Sequence, residues 1–205
     1  MEKSEFIGMM QQHQEVIQYF EDKSHARHCY VNLPLDDISR HTCPIRFIVQ
    51  ALKEFGAGIC QSPEDVLPLF YAVCFHDALR FLRMDYKDTL ELAEANMSEE
   101  QAKLAADLIF VLTPNKGRTR REMYGKAAMD AVRATPYAPF VKLCIRLGQI
   151  RYLVDRQYEP ELHGLDDEFP FLLRALDFPT DDKRLTLPEE LINEIYKSLA
   201  GHSRF

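Results

Sequence analysis

Apolar residues return every three or four positions along most of this chain, and that spacing leaves little room for anything but helices. The runs Phe6–Phe20, Pro44–Phe55, Val66–Leu82, Met97–Leu112 and Phe140–Val154 all keep it, so each gathers an apolar stripe on one helical face. The punctuation agrees. Ser98 with Gln101 forms a capping-box pattern ahead of one run, and Ser62-Pro63 opens another with proline at a tolerated first-turn position. Pro68 is expected to kink or restart that helix. Gly56 and Gly58 are expected to end the preceding one as left-handed caps. No two apolar runs flank a hairpin turn, and strand-like alternation never persists. The pattern predicts an all-α fold of roughly eight to ten helices with no substantial sheet.

At 205 residues, 46% of them apolar, the chain is long enough to bury one generous core. No apolar stretch nears the roughly 18 residues of a spanning helix. The N-terminal MEKSEFIGMMQQHQEVIQYF mixes charge into its apolar pattern, unlike a secretory signal. Both features point to a cytoplasmic protein with no membrane partner. The five cysteines form no CxxC, and Cys74 and Cys144 lie in apolar runs, as reduced buried thiols do. A net charge of -7 argues against binding nucleic-acid backbones, while leaving room for a local basic pocket that holds a small anion. The softest boundary is the acid- and proline-rich stretch Tyr158–Asp182. It divides a helical domain over residues 1–160 from a C-terminal helical extension over 161–205, packed on the same domain and closed by the helix Pro188–Leu199.

Inside the run YAVCFHDALRF (Tyr71–Phe81) stands an adjacent His76-Asp77 pair. Neighbours on a helix lie about 100° apart, so the two side chains can converge on one metal, and an imidazole with a carboxylate suits Mn²⁺, Fe²⁺ or Zn²⁺. The plainer alternative is a helix-face histidine beside a carboxylate paired with Arg80 at i,i+3. Basic residues gather at Lys116, Arg118, Arg120 and Arg121, and again at Lys142, Arg146 and Arg151. Guanidinium forks match phosphate oxygens, so such a set can hold a polyphosphate. It can equally be a charged face partnered by Glu122, Asp130 and Asp155. His25 and His28 share a helical spacing, but no acidic or cysteine partner stands at ligand spacing from them.

Four segments in register resemble the HD-type metal phosphohydrolases, specifically the alarmone hydrolases of the RelA/SpoT kind. Tyr71–Phe81 resembles the helix with the family's His-Asp pair. CPIRFIVQALKEF (Cys43–Phe55) resembles the helix that opens with a histidine ligand followed by proline. IFVLTPNKGRTRR (Ile109–Arg121) resembles the "TDDK…R" segment, and FVKLCIRLGQIRYL (Phe140–Leu153) resembles VKLAD followed by RLxNLRxL. The resemblance implies a single HD-type helical domain and a metal held by a histidine, the His-Asp pair and a distal aspartate. This chain departs from that set. Cys43 stands at the first ligand position, with His41 two residues upstream, and Ile145 stands at the distal one. Ile145 shares a face with Lys142 and Gln149. The family's Glu-Asp pair, which handles the attacking water, is replaced by Arg80 and Phe81, neither of which can accept a proton at neutral pH.

The resemblance implies that Lys116 and Arg151 lie near a nucleotide's phosphates and base, with Arg118, Lys142, Arg146 and Gln149 as further ligand-binding candidates. Two functions follow. One is a module that has lost metal-dependent pyrophosphohydrolysis, needs no cofactor, and binds a guanosine polyphosphate, another nucleotide or a protein partner. The other is an active phosphohydrolase in which His41 or Cys43 joins His76 and Asp77 around one Mn, Fe or Zn ion. Self-association into a homo-oligomer is compatible with either.

Overall fold

The computed structural model describes residues 1–19, 22, 44–77, 82–113 and 125–201. Among them the chain is helix, turn and loop, with no strand. In chain order the helices are α1 (Lys3–Gln11), α2 (Pro44–Ile59), α3 (Val66–Phe75), α4 (Tyr86–Glu94), α5 (Glu99–Leu112), α6 (Lys126–Ala134), α7 (Ala138–Asp155), α8 (Glu159–Leu176) and α9 (Glu189–Ala200). Short 3₁₀ turns at Pro63–Asp65 and Lys183–Leu185 precede α3 and α9. Among the described residues no helix is long and apolar enough to cross a membrane.

The expected all-α architecture is therefore what the chain adopts, and α7 is its axis. Nearly the whole of α7 is buried from Ala138 to Gly148, on every face, as a helix at the centre of a bundle must be. It packs against α2, α3, α5, α6, α8 and α9. One continuous core runs from Phe6 and Met10 on α1 to Ile195 and Leu199 on α9.

Several boundaries differ from the sequence expectation, each for a visible reason. Gly56 and Gly58 do not end a helix, because α2 runs through both to Ile59. At Gly56 a Cβ would stand 2.4 Å from the Phe6 ring, so the glycine makes room for α1. The restart expected around Pro68 does occur. A 3₁₀ turn comes first, closed by the reciprocal Ser62–Asp65 capping box, and α3 restarts at Val66 with Pro68 in its first turn, where the missing N–H costs nothing. The stretch Phe6–Phe20 divides into α1 and a short helical piece at 15–19, separated by a turn at 12–14. The acid- and proline-rich segment after Tyr158 is the 18-residue helix α8, with Pro170 inside it. Its acids line the outer faces, while Leu162, Phe169, Leu172 and Leu176 join the core.

Candidate functional site

The helix carrying the His-Asp pair ends earlier than the periodicity predicts. α3 stops at Phe75, and His76 and Asp77 form the turn beyond it. The His76 carbonyl accepts the Thr113 hydroxyl at 2.7 Å, a contact from the end of α5 that holds the turn in place. Thr113 Oγ1 also lies 2.8 Å from the Ile109 carbonyl, and its single proton serves one carbonyl at a time. Two of the four segments singled out in the sequence thus meet at this point, His76 from one and Thr113 from the other.

The His76 ring is buried, with Nδ1 2.9 Å from the Val73 carbonyl. A carbonyl only accepts, so Nδ1 bears the proton in this contact, and the tautomer it selects has its lone pair on Nε2. Facing this turn from α7 is Lys142. Burial, and then the neighbouring Arg146 charge, pull its ammonium down to about 8, against the opposing attraction of the Asp77 carboxylate. Arg146, one helical turn further along, is also buried, and its two terminal nitrogens both donate to Glu168 Oε2 of α8 at 3.4 Å. Ile145 is buried beside them, and Gln149 is half-buried a turn on.

The structure thus brings Lys142 of α7 within charge interaction of Asp77 in the turn after α3, with Arg146 one helical turn along α7 and paired with Glu168. It does not bring Arg151 to the same place. Nine residues at about 100° each put Arg151 about 180° around the helix from Lys142. There its Nη2 donates to Glu54 of α2 at 2.8 Å and to Glu194 of α9 at 3.0 Å. Asp130 pairs with Arg133, and Asp155 lies 3.8 Å from Arg156, so the carboxylates named from sequence as partners of the basic face are engaged nearer home. His25, His28, His41, Cys43, Arg80, Phe81, Lys116, Arg118, Arg120, Arg121 and Glu122 lie outside the described residues. The helical phase of Arg151 is legible in sequence. Glu54, Glu168 and Glu194 are not, because each reaches its arginine from a separate helix.

His76 and Asp77 alone fall short of the donor set a divalent ion needs. Among the described residues no three His, Cys, Asp or Glu side chains stand close enough to hold a metal. Ile145, which the resemblance sets at the distal donor position, is a buried hydrocarbon, and the Lys142 ammonium interacts with Asp77. A groove of about 260 Å³ opens elsewhere, between the 15–19 stretch and α2, lined by Arg46, Gln50 and Lys53 among others; none of the predicted site residues borders it.

Fold and site together define a helical domain with two buried cationic residues on α7, one of them in charge interaction with a histidine–aspartate turn. No family model, curated protein or solved structure matches the chain.

Proposed function

We propose that this protein is an HD-fold module of alarmone-hydrolase type that has lost conventional metal-dependent pyrophosphohydrolysis and binds a phosphate-rich small molecule, a guanosine polyphosphate or related nucleotide. One observation carries the reading: Lys142 and Arg146, two like charges one turn apart, are both buried, and Lys142 interacts with Asp77 of the His-Asp turn. Like charges out of water repel each other and lose hydration, so the pair stays costly even with Asp77 and Glu168 beside it, and a ligand anion would lower that cost. Phosphoryl oxygens are the strongest natural match to a guanidinium fork beside an ammonium. The substitutions at Cys43, Arg80, Phe81 and Ile145 remove ligands and the proton acceptor while leaving these cations in place.

The test is binding of guanosine tetraphosphate in a chelating buffer, followed calorimetrically. Wild-type protein is expected to bind without metal and Arg146→Gln to lose at least about tenfold in affinity, which corresponds to about 1.4 kcal/mol. Equal binding by wild type and Arg146→Gln sinks the ligand reading and leaves the protein-partner one.

A second reading, the active hydrolase, draws on the His76 tautomer. An Nδ1 proton held by a backbone carbonyl aims the Nε2 lone pair outward, the arrangement that metal-binding histidines use. It expects about one equivalent of Mn, Fe or Zn per chain in protein purified without chelator, and turnover that His76→Ala abolishes.

A further inference from the structure

We infer that the groove between the 15–19 helical piece and α2 is a second ligand site, built for a mononucleotide. Its cations suit the phosphate, its glutamine amides the edge of the base, and its aliphatic side chains the face of the base. Neither Lys142 nor Arg146 borders the groove, so the inference stands apart from the reading above.

Helical phase makes the wall. Arg46, Val49, Gln50 and Lys53 stand at i, i+3, i+4 and i+7, so one face of α2 carries all four into the groove. Gln14, Ile17 and Gln18 repeat the spacing on the opposite side. Between them lies a volume of about 260 Å³, just under the roughly 300–1,000 Å³ of small-molecule pockets. A ligand of mononucleotide size is therefore the upper limit.

Charge selects the ligand class. The lining holds two cations and, among the described residues, no carboxylate, on a chain whose net charge is -7. The groove thus attracts an anion that the molecule as a whole repels. Lys53 is half-buried and has no ion-pair partner among the described residues, so its ammonium is available to phosphate oxygens. Arg46 adds a second positive charge about 10 Å further along the helix axis.

The glutamines are already oriented. Gln18 Nε2 donates to Asp22 Oδ1 at 2.8 Å, and Gln50 Nε2 donates to Glu54 Oε1 at 2.9 Å. Each carboxylate takes one amide proton and leaves that amide a carbonyl oxygen and a second N–H. An acceptor beside a donor complements the edge of a nucleobase, as in a bidentate glutamine–adenine pair. Glu54 is itself answered by Arg151 at 2.8 Å, which limits its repulsion of an anion. Ile17 and Val49 supply hydrocarbon against which a base can lie.

The test is binding of adenosine monophosphate, adenosine and inorganic phosphate to the full chain in chelating buffer, by calorimetry and by NMR amide shifts. The monophosphate is expected to bind at least about tenfold more tightly than either part, with shifts over residues 14–18 and 46–53. Lys53→Gln is expected to weaken it about threefold and Lys53→Glu at least about tenfold. Lys103→Glu, the same reversal on an exposed lysine of α5 that does not line the groove, is expected to change affinity less than about twofold. A thermal melt of each variant confirms folding.

Equal losses in Lys53→Glu and Lys103→Glu would mean a long-range charge effect and overturn the site. Adenosine or phosphate binding as tightly as the monophosphate overturns it as a nucleotide site, and so does absence of binding. Shifts confined to the surroundings of Lys142 and Arg146 would overturn the groove and support the reading above in its place.

Discussion

Lys142 shows at the scale of one residue what the proposed site demands of the fold. Its ammonium is held down to about 8, first by burial and then by Arg146, against an ordinary value of 10.5. Below pH 8 the folded and unfolded chains both carry the proton, and the folded one carries it in the core. At about 1.4 kcal/mol per unit of separation, that burden is on the order of 3 kcal/mol. Between about 8 and 10.5 the unfolded chain still holds the proton that the folded chain has released. The unfolded state then binds more protons, so stability must climb with pH across that window. Lys142→Met removes both the burden and the climb. The variant is expected to be about 1–3 kcal/mol more stable than wild type at pH 7, with the gap closing towards pH 10. Urea unfolding of both proteins at pH 7, 8.5 and 10 reads this directly. A gap that does not change with pH would show that the amine is solvated.

At the scale of elements, the crossing of α2 over α7 is a close contact that depends on a missing side chain. A Cβ on Gly148 would stand 2.7 Å from the Ile48 nitrogen and 2.8 Å from its Cα. Those are backbone atoms, which cannot swing away. Gly148→Ala is therefore expected to cost about 1–3 kcal/mol or more by forcing the helices apart. Gly58→Ala, on the same α2 but with nothing within 4 Å of the added methyl, is expected to gain about 0.5–1 kcal/mol from helix propensity alone. Denaturant midpoints of the two variants should move in opposite directions, and a harmless Gly148→Ala would refute the close crossing.

The same glycines mark what the sequence could and could not tell. Long apolar stripes such as those of α5 and α7 announce their helices, and Ser98 caps α5 as expected. A glycine needed for close approach, however, looks in sequence like one that ends a helix, because only the partner helix distinguishes them. α4 and α6 escaped for a related reason: each buries few residues, Thr89 and Ala93 in one and Met129 and Val132 in the other, too few to make a stripe. In the site, the His76-Asp77 pair and the Lys142–Arg146 spacing are legible as local patterns, but the turn that carries the pair is not. Arg151 stands in the same basic run in sequence, and only its helical phase sets it on the opposite side of α7.

The whole molecule is held by what radiates from α7, and the Arg151 clasp is its most exacting joint. It ties α7 to α2 on one side and to the C-terminal α9 on the other, over the apolar seam that Leu191, Ile195 and Leu199 bury. Burial pushes the Glu54 carboxyl up, and the hydrogen bonds from Arg151 and Gln50 outweigh it, so Glu54 ends below its ordinary 4.5. A carboxyl held down in the folded state contributes stability that is present above its unfolded value and is lost as pH falls through the folded one. Arg151→Met leaves Glu54 and Glu194 side by side without the cation. At pH 7 this is expected to cost about 1–3 kcal/mol, less than the loss of a fully buried pair because all three side chains keep some water. The penalty should fall first on α9, so its amides are expected to exchange hydrogen faster than those of α7 in the variant. As pH falls below 4.5 towards the lowered folded value, Glu54 progressively loses the advantage Arg151 gives it in wild type, so the gap between the two proteins should narrow. Urea midpoints at pH 7 and pH 4, with amide exchange resolved by helix, test both parts. A gap that persists undiminished at pH 4 would mean that Arg151 holds α9 through its aliphatic stem and not through its charge.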